Sequence, residues 1–254
     1  MGVTIKSVKE IEILREGGKR LSCMLYEVAS KAKVGMSKIE IDKMAEDLIV
    51  AGGDIPAFKN YKPAGAAVAF PATLCISVGD EIVHGIPNSY RLRNGDIVGL
   101  DLGIKHGGLF TDMAVTVGIG EVDKRAKRLM EVTSQALEFG ISVARAGATT
   151  GDIGYAIESF VRPYKYGIVR ELSGHGVGHK IHEDPYVPNY GKPGTGTKLK
   201  PGMVLALEPM INEGSDDIIL GEDDFTYKTR DGSRSAHFEK TILITEAEPE
   251  ILTP

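Results

Sequence analysis

Two aspartates interrupt apolar strand patterns on either side of Lys105-His106-Gly107-Gly108. Leu100, Leu102 and Ile104 alternate on one face, as do Met113, Val115 and Val117. Asp101 and Asp112 point to the other face, among small Gly99, Gly103 and Ala114. A two-residue turn at His106-Gly107 sets Asp101 directly across from Asp112, with Cβ atoms about 4.5–5.5 Å apart. Like charges directly opposite each other are destabilising, so such a pair calls for something positive between them. The competing reading is an exposed sheet face with two solvated aspartates, or a register slipped by one.

Further along, Ser173-Gly174-His175-Gly176-Val177-Gly178-His179 runs into Lys180-Ile181-His182-Glu183. The glycines argue against a helix, so these histidines are not the helical two-His zinc motif. We read a Gly-rich loop in which close backbone approach brings imidazoles to metal or acid–base work. Glu208 stands alone in the apolar run Met203–Ile211, and Glu239 lies between Phe238 and Thr241-Ile242-Leu243-Ile244. A buried carboxylate is costly unless it is paired or holds a cation; at a strand end it can also reach water. Carboxylates with an imidazole form a hard, oxygen-rich donor set that suits Mn, Fe(II) or Co better than a structural zinc. Four carboxylates exceed the charge of one divalent ion, so two ions sharing bridging carboxylates fit better. Gly191–Lys198 lacks the contiguous Gly-Lys-Ser/Thr of a phosphate loop, and no G-x-S-x-G elbow occurs.

The elements that must position these groups follow from periodicity. Ser7 opens a helix carrying Ile11, Leu14, Leu21, Leu25, Val28 and Ala32, which ends at Val34-Gly35. Ser37, with Glu40 three residues on, is a capping box for a second helix that stops at Gly52-Gly53. A Pro- and Ala-rich loop fills residues 54–72. Strands follow at Thr73–Val78, Asp96–Lys105 and Gly108–Val117. Asp123 and Thr149 or Thr150 start two more helices, the second running to about Tyr164. Strands return at Ile168–Leu172, Met203–Ile211, Phe225–Thr229 and Ala236–Thr245. The order helix, helix, strands therefore occurs twice, which predicts one domain of two pseudo-equivalent halves sharing a sheet.

Bulk properties narrow the function classes. The chain has 254 residues and a formal net charge of -5, without the basic footprint of a nucleic-acid binder. Its longest basic stretch, around Lys124, Arg125, Lys127 and Arg128, reads as the solvated face of a helix. Cys23 and Cys75 form no framework and suit reduced thiols in a cytoplasmic protein. We see neither a signal peptide nor an apolar run long enough to span a membrane.

Together these stretches resemble the type I methionine aminopeptidases, in their short bacterial form, across essentially the whole chain. The matching segments are Leu74–Ser77, Asp80–Pro87, Gly95–Asp101, Thr111-Asp112, Gly174–Gly178 with His182-Glu183, Pro201–Met210 and Phe238-Glu239. The resemblance implies an α/β pita-bread fold in a single catalytic domain over residues 1–254. It also implies two divalent ions (Co, Mn, Fe(II) or Zn) on Asp101, Asp112, His175, Glu208 and Glu239. Asp112 and Glu239 would bridge both ions, His175 and Glu208 would complete one site, and Asp101 the other. By the same resemblance, Glu208 handles the proton of the attacking water and His182 stabilises the tetrahedral intermediate. His84 contacts the scissile amide or helps its nitrogen leave. Phe70, Cys75, Ile181, Met210 and Phe225 map onto the methionine pocket.

The implied activity is removal of the initiator methionine from nascent chains when the second residue is small, by a cytoplasmic monomer, and ribosome association suits such a role. The sequence departs from the family pattern in three places. There are several extra residues between Tyr61 and Phe70, His237 replaces the usual Gln, and Lys240 replaces the usual His. The 31-residue spacing from Glu208 to Glu239 leaves no room for the type II insert. Two other readings compete: an Xaa-Pro-type aminopeptidase, whose family carries an additional large N-terminal domain, and a non-catalytic binding protein of the same fold, whose relatives lose ligands.

Overall fold

A computed structural model describes residues 2–62 and 68–254. The chain begins with helices α1 (Val8–Lys31) and α2 (Lys38–Ala51). Both start on capping boxes: Ser7 and Ser37 accept from the amides of Glu10 and Glu40, whose carboxylates accept from the serine amides in return. Strands β1 (Ile55–Pro56), β2 (Leu74–Val78), β3 (Glu81–Val83), β4 (Ile97–His106) and β5 (Leu109–Gly118) complete the first half.

The second half repeats that order. Helix α3 (Lys124–Val143) is capped by Asp123 and α4 (Thr150–Val161) by Thr149. A short 3-10 turn, Arg162–Tyr164, extends α4 to the expected end. Then come β6 (Gly167–Ile168), β7 (Gly174–Gly176), β8 (Glu183–Val187), β9 (Val204–Leu207), β10 (Met210–Asn212), β11 (Ile218–Leu220), β12 (Tyr227–Thr229), β13 (Ser235–His237), β14 (Glu239–Leu243) and β15 (Glu250–Ile251).

One sheet joins the halves. Its strand order is β1-β4-β5-β14-β9-β7-β8, with β2 also on β4 and β15 also on β14. The pairings within this sheet are antiparallel. The four long helices cover one face as two packets. Leu21, Leu25 and Val28 of α1 and Ile41, Ala45 and Ile49 of α2 pack on Leu100, Leu102, Ile104, Met113 and Val115. Leu129, Val132 and Ala136 of α3 and Ile153 and Ile157 of α4 pack on Leu205, Leu207 and Ile242. Phe238, at the seam, touches both packets. Each fully buried aliphatic side chain contributes about 1.5–3 kcal/mol by leaving water. The alternation that sends these residues toward the helices sends their neighbours to the opposite face.

The β4–β5 hairpin corrects the expected register. Its turn is Gly107-Gly108, with His106 paired to Leu109. Asp101 therefore lies opposite Ala114, and Asp112 opposite Gly103. Such a turn needs positive φ at both central residues. Gly107 and Gly108 take +55° and +91°, values that would strain His106. The register moves by two residues, which preserves strand parity, so both aspartates stay on one face as diagonal neighbours.

The stretch read as a histidine loop is also more ordered than expected. Gly174–Gly176 is a strand between β8 and β9. A Cβ at Gly174 would come within 2.4 Å of the Ala206 carbonyl oxygen, and one at Gly176 within 2.2 Å of that of Asp184. The glycines are there for close backbone packing inside a sheet.

Candidate metal centre

The open face of the sheet collects the acidic residues from both halves. Asp101 and Glu239 both lie opposite Ala114, one from each side, and Asp112 is two residues along β5 from Ala114. His175 lies opposite Ala206, which also pairs with Thr241. Glu208 and Glu239 are each two residues from that row, so strand parity turns all five side chains to one surface. Asp101, Asp112, His175 and Glu239 are buried, and Glu208 is half-buried.

Donor atoms of Asp101, Asp112 and Glu239 lie within 4.8 Å of one another. Those of His175, Glu208 and Glu239 do the same, and so do those of Asp112, His175 and His182. Asp112 and Glu239 thus each belong to two groups. Asp101 Oδ1 and Glu239 Oε1 are buried without a hydrogen-bond partner, a costly state for acceptor oxygens. His175 Nδ1 lies 2.9 Å from the Gly176 carbonyl, which can only accept, so Nδ1 carries the proton. The lone pair of Nε2 then faces the Glu208 carboxylate, 3.4 Å away. This is how a backbone acceptor fixes the tautomer of a metal-binding histidine.

Thr241 clamps the backbone here. Its hydroxyl accepts from the Asp112 amide at 3.0 Å and donates to the Asp112 carbonyl at 2.7 Å.

Electrostatics point the same way. Burial, then the charge of Asp112, pushes the Asp101 carboxyl well above its ordinary range. Burial and the neighbouring carboxylates do the same to Glu208 and Glu239. Asp112 is raised by burial to about 7. His175 is pushed down by burial to about 3 and therefore stays neutral, as a ligand must. Four crowded carboxylates that resist ionisation, with orphaned oxygens and a neutral imidazole aimed among them, fit divalent cations.

These residues floor a pocket enclosing about 560 Å³, part of it open to solvent. Its apolar wall includes Phe58, Phe70, Cys75 and Phe225, with Phe70 edge-on to Phe225 at 5.5 Å. Phe70, Cys75 and Phe225 thus come together in one pocket wall. Ile181 and Met210 do not line this pocket. Ile181 is buried in the same apolar cluster as Phe58 and Cys75. Met210 packs with Ile82, Val83 and Val169 and borders an outer groove instead. Phe58 was not anticipated; its only sequence signal is an aromatic residue within a Pro- and Ala-rich loop. Phe70 N donates to Tyr61 O at 2.8 Å, and Asn60 N donates to Phe70 O at 2.9 Å. The base of the longer intervening segment is thereby closed; residues 63–67 of it lie outside the described chain.

The outer groove shares Tyr61, His84, His175, His182 and Glu208 with the inner pocket. His84 is half-buried with φ of +58°, a rare conformation for a non-glycine residue. Burial, with His182 nearby, lowers its pKa to about 4. His182 stands at the surface with its Nδ1 3.0 Å from the Tyr61 hydroxyl. When that hydroxyl donates, Nε2–H is left free to point into the site. His179, third of the clustered histidines, turns away and lies 2.6 Å from Glu10 of α1.

A metal-binding protein whose donors gather on one face of a shared antiparallel sheet is the class this fold and site define. A family model, metallopeptidase family M24, matches residues 12–246, and the chain belongs to that family. Among its relatives, methionine aminopeptidase 1 of Bacillus subtilis is 42% identical over 251 residues, covering 99% of each chain. The methionine aminopeptidase of Clostridium perfringens is 41% identical, covering 99% of this chain and 98% of the other. The crystal structure of methionine aminopeptidase from Rickettsia prowazekii superposes with a TM-score of 0.95 at 38% identity, covering 100% of both chains. A prolidase from Pyrococcus horikoshii reaches 0.77 at 25% identity, and this chain covers only 63% of it. The fold is thus the pita-bread fold of this family. Among the described residues, no helix is long and apolar enough to cross a membrane.

Proposed function

We propose that the chain is a metal-dependent aminopeptidase that removes the N-terminal methionine of nascent proteins and peptides when the second residue is small. The observation that carries this reading is the meeting of two donor groups at Glu239, on the floor of an apolar pocket. An unbranched thioether side chain suits a wall of Phe58, Phe70, Cys75 and Phe225. The polar groove outside then takes the rest of the polypeptide.

Asp101, Asp112 and Glu239 would hold one divalent ion, and His175, Glu208 and Glu239, with Asp112, the other; Co, Mn, Fe(II) and Zn are the candidates. When bound, such ions supply a Lewis acid for the first peptide carbonyl and lower the pKa of water. Glu208, half-buried between floor and groove, takes the proton of the attacking water as its oxygen bonds to the carbonyl carbon. His182 donates from Nε2–H to the oxygen that gains charge, and the Tyr61 hydroxyl holds it in that tautomer. His84 orients the scissile amide. As the C–N bond breaks, Glu208 returns the proton to the departing nitrogen. The chain works as one catalytic domain and as a monomer. Two unpaired cysteines fit a reducing, cytoplasmic location, and ribosome association suits an enzyme that acts on nascent chains.

An Xaa-Pro activity is disfavoured by the full-length match to methionine aminopeptidases, and a purely binding role by the complete donor set. The test is a peptide series varying the second residue. Met-Gly and Met-Ala peptides are expected to lose methionine, and Met-Leu and Met-Lys to be cleaved poorly. Equal rates across the series would contradict the substrate class.

A further inference from the structure

The donor set leaves one side chain unexplained. His237 is 3% exposed, and its Nε2 is buried without a hydrogen-bond partner. It is the only histidine nitrogen among the described residues in that state. That nitrogen lies 3.8 Å from Glu208 Oε2 and 4.0 Å from Glu239 Oε2. Both carboxylates belong to the donor groups, yet His237 belongs to none of them. It therefore approaches the acidic cluster from outside the space where three donors converge.

The fold holds the residue firmly in this place. The His237 amide donates to Thr116 Oγ1 at 2.9 Å, and the same hydroxyl donates to the His237 carbonyl at 2.8 Å. His237 pairs with Met210 across the β10–β13 ladder, and Glu239 follows two residues later. Once ionised around a cation, both carboxylates can only accept hydrogen bonds, so an imidazole nitrogen facing the two of them serves as an N–H donor. A buried donor left unused is costly, and a small carboxylate movement would satisfy it.

Resting on the metal-dependent reading above, we propose that His237 is a positioning residue for the metal centre. Its Nε2–H braces Glu208 and Glu239 from behind, leaving their other oxygens for the cations. Groups that support ligands in this way change metal affinity by about 10–100-fold when removed. Glutamine can offer a side-chain N–H across a similar distance, whereas leucine keeps the bulk and removes the donor.

The experiment titrates Co(II) into metal-free wild type, His237→Gln and His237→Leu, followed by calorimetry and by visible absorption of the bound ion. Circular dichroism checks that each variant is folded. His237→Leu is expected to bind about 10–100-fold more weakly at unchanged stoichiometry, with His237→Gln restored close to wild type. If leucine prevents folding, His237→Asn, whose amide stops short of both carboxylates, is expected to show the same loss. Full affinity in His237→Leu, or in His237→Asn where that is the folded variant, overturns the inference. So does a His237→Gln protein that loses an ion or changes its Co(II) spectrum, since the imidazole would then be a ligand. Wild-type protein that binds no Co(II) overturns the metal-dependent reading itself, a result distinct from failure at His237 alone.

Discussion

At the scale of residues, the site is a stability liability kept for function. Asp112 shows this most plainly: burial raises its pKa to about 7, while an unfolded aspartate keeps about 3.8. Between those values the folded, metal-free chain binds a proton that the unfolded chain does not. The contribution of Asp112 to stability therefore falls as pH rises from about 4 through about 7. Asp112→Asn removes that penalty. In chelator, its advantage over wild type is expected to grow between pH 5 and pH 8 by an amount on the order of a few kcal/mol. Urea midpoints at the two pH values measure it, and a constant difference would contradict the account. The same variant should lose metal-dependent activity by more than about 100-fold, beyond the effect of an outer supporting group. At the mouth of the pocket, Tyr61→Phe deletes the hydroxyl 3.0 Å from His182 Nδ1, which in the proposed mechanism sets that ring's tautomer. A lost hydrogen bond of about 0.5–1.5 kcal/mol predicts a roughly 2–10-fold lower kcat, with methionine recognition at the apolar wall little changed. A fall confined to KM would contradict that role.

At the scale of elements, glycines separate folding from function. Gly108 has φ of +91° and open space around it, so Gly108→Ala should cost about 1–2 kcal/mol from backbone strain alone. Metal affinity should stay as in wild type. Gly174→Ala instead drives a Cβ against the Ala206 carbonyl oxygen at 2.4 Å. It should cost about 1–3 kcal/mol and also weaken metal binding, because His175 is the next residue on the displaced strand. Denaturation and metal titration of both variants check the contrast; equal metal affinities would contradict it.

These elements also show what the sequence could reveal. The capping box at Ser37 and the caps at Ser7 and Asp123 marked helix starts because local hydrogen bonds decide them. Strand alternation gave the common face of Asp101 and Asp112 even though the turn lay one residue further on and the register moved by two. The strand through His175 was hidden, since its glycines answer to carbonyls of Ala206 and Asp184, distant in sequence. Where Met210 lies, away from the inner pocket, was hidden for a related reason. Its position in an apolar run says that it is buried, but the side on which it packs depends on β3 and the Val169 segment.

At the scale of the whole molecule, two helix-backed halves close on one sheet, and the donor set exists only where they meet. Asp101 and Asp112 come from the first half, and His175, Glu208 and Glu239 from the second. The helices hold the sheet from behind, which leaves its other face to gather the carboxylates. The inner pocket and outer groove share the histidines at their boundary, His84, His175 and His182. The measurement that tests this account most directly is amino-acid release from peptides differing only in their first residue. It is made on metal-free protein as Mn(II) or Co(II) is added back. Methionine release should be absent in chelator, rise with the added ion, and greatly exceed release of alanine or leucine. Release that is independent of metal, or equal for Met-, Ala- and Leu-leading peptides, would contradict it.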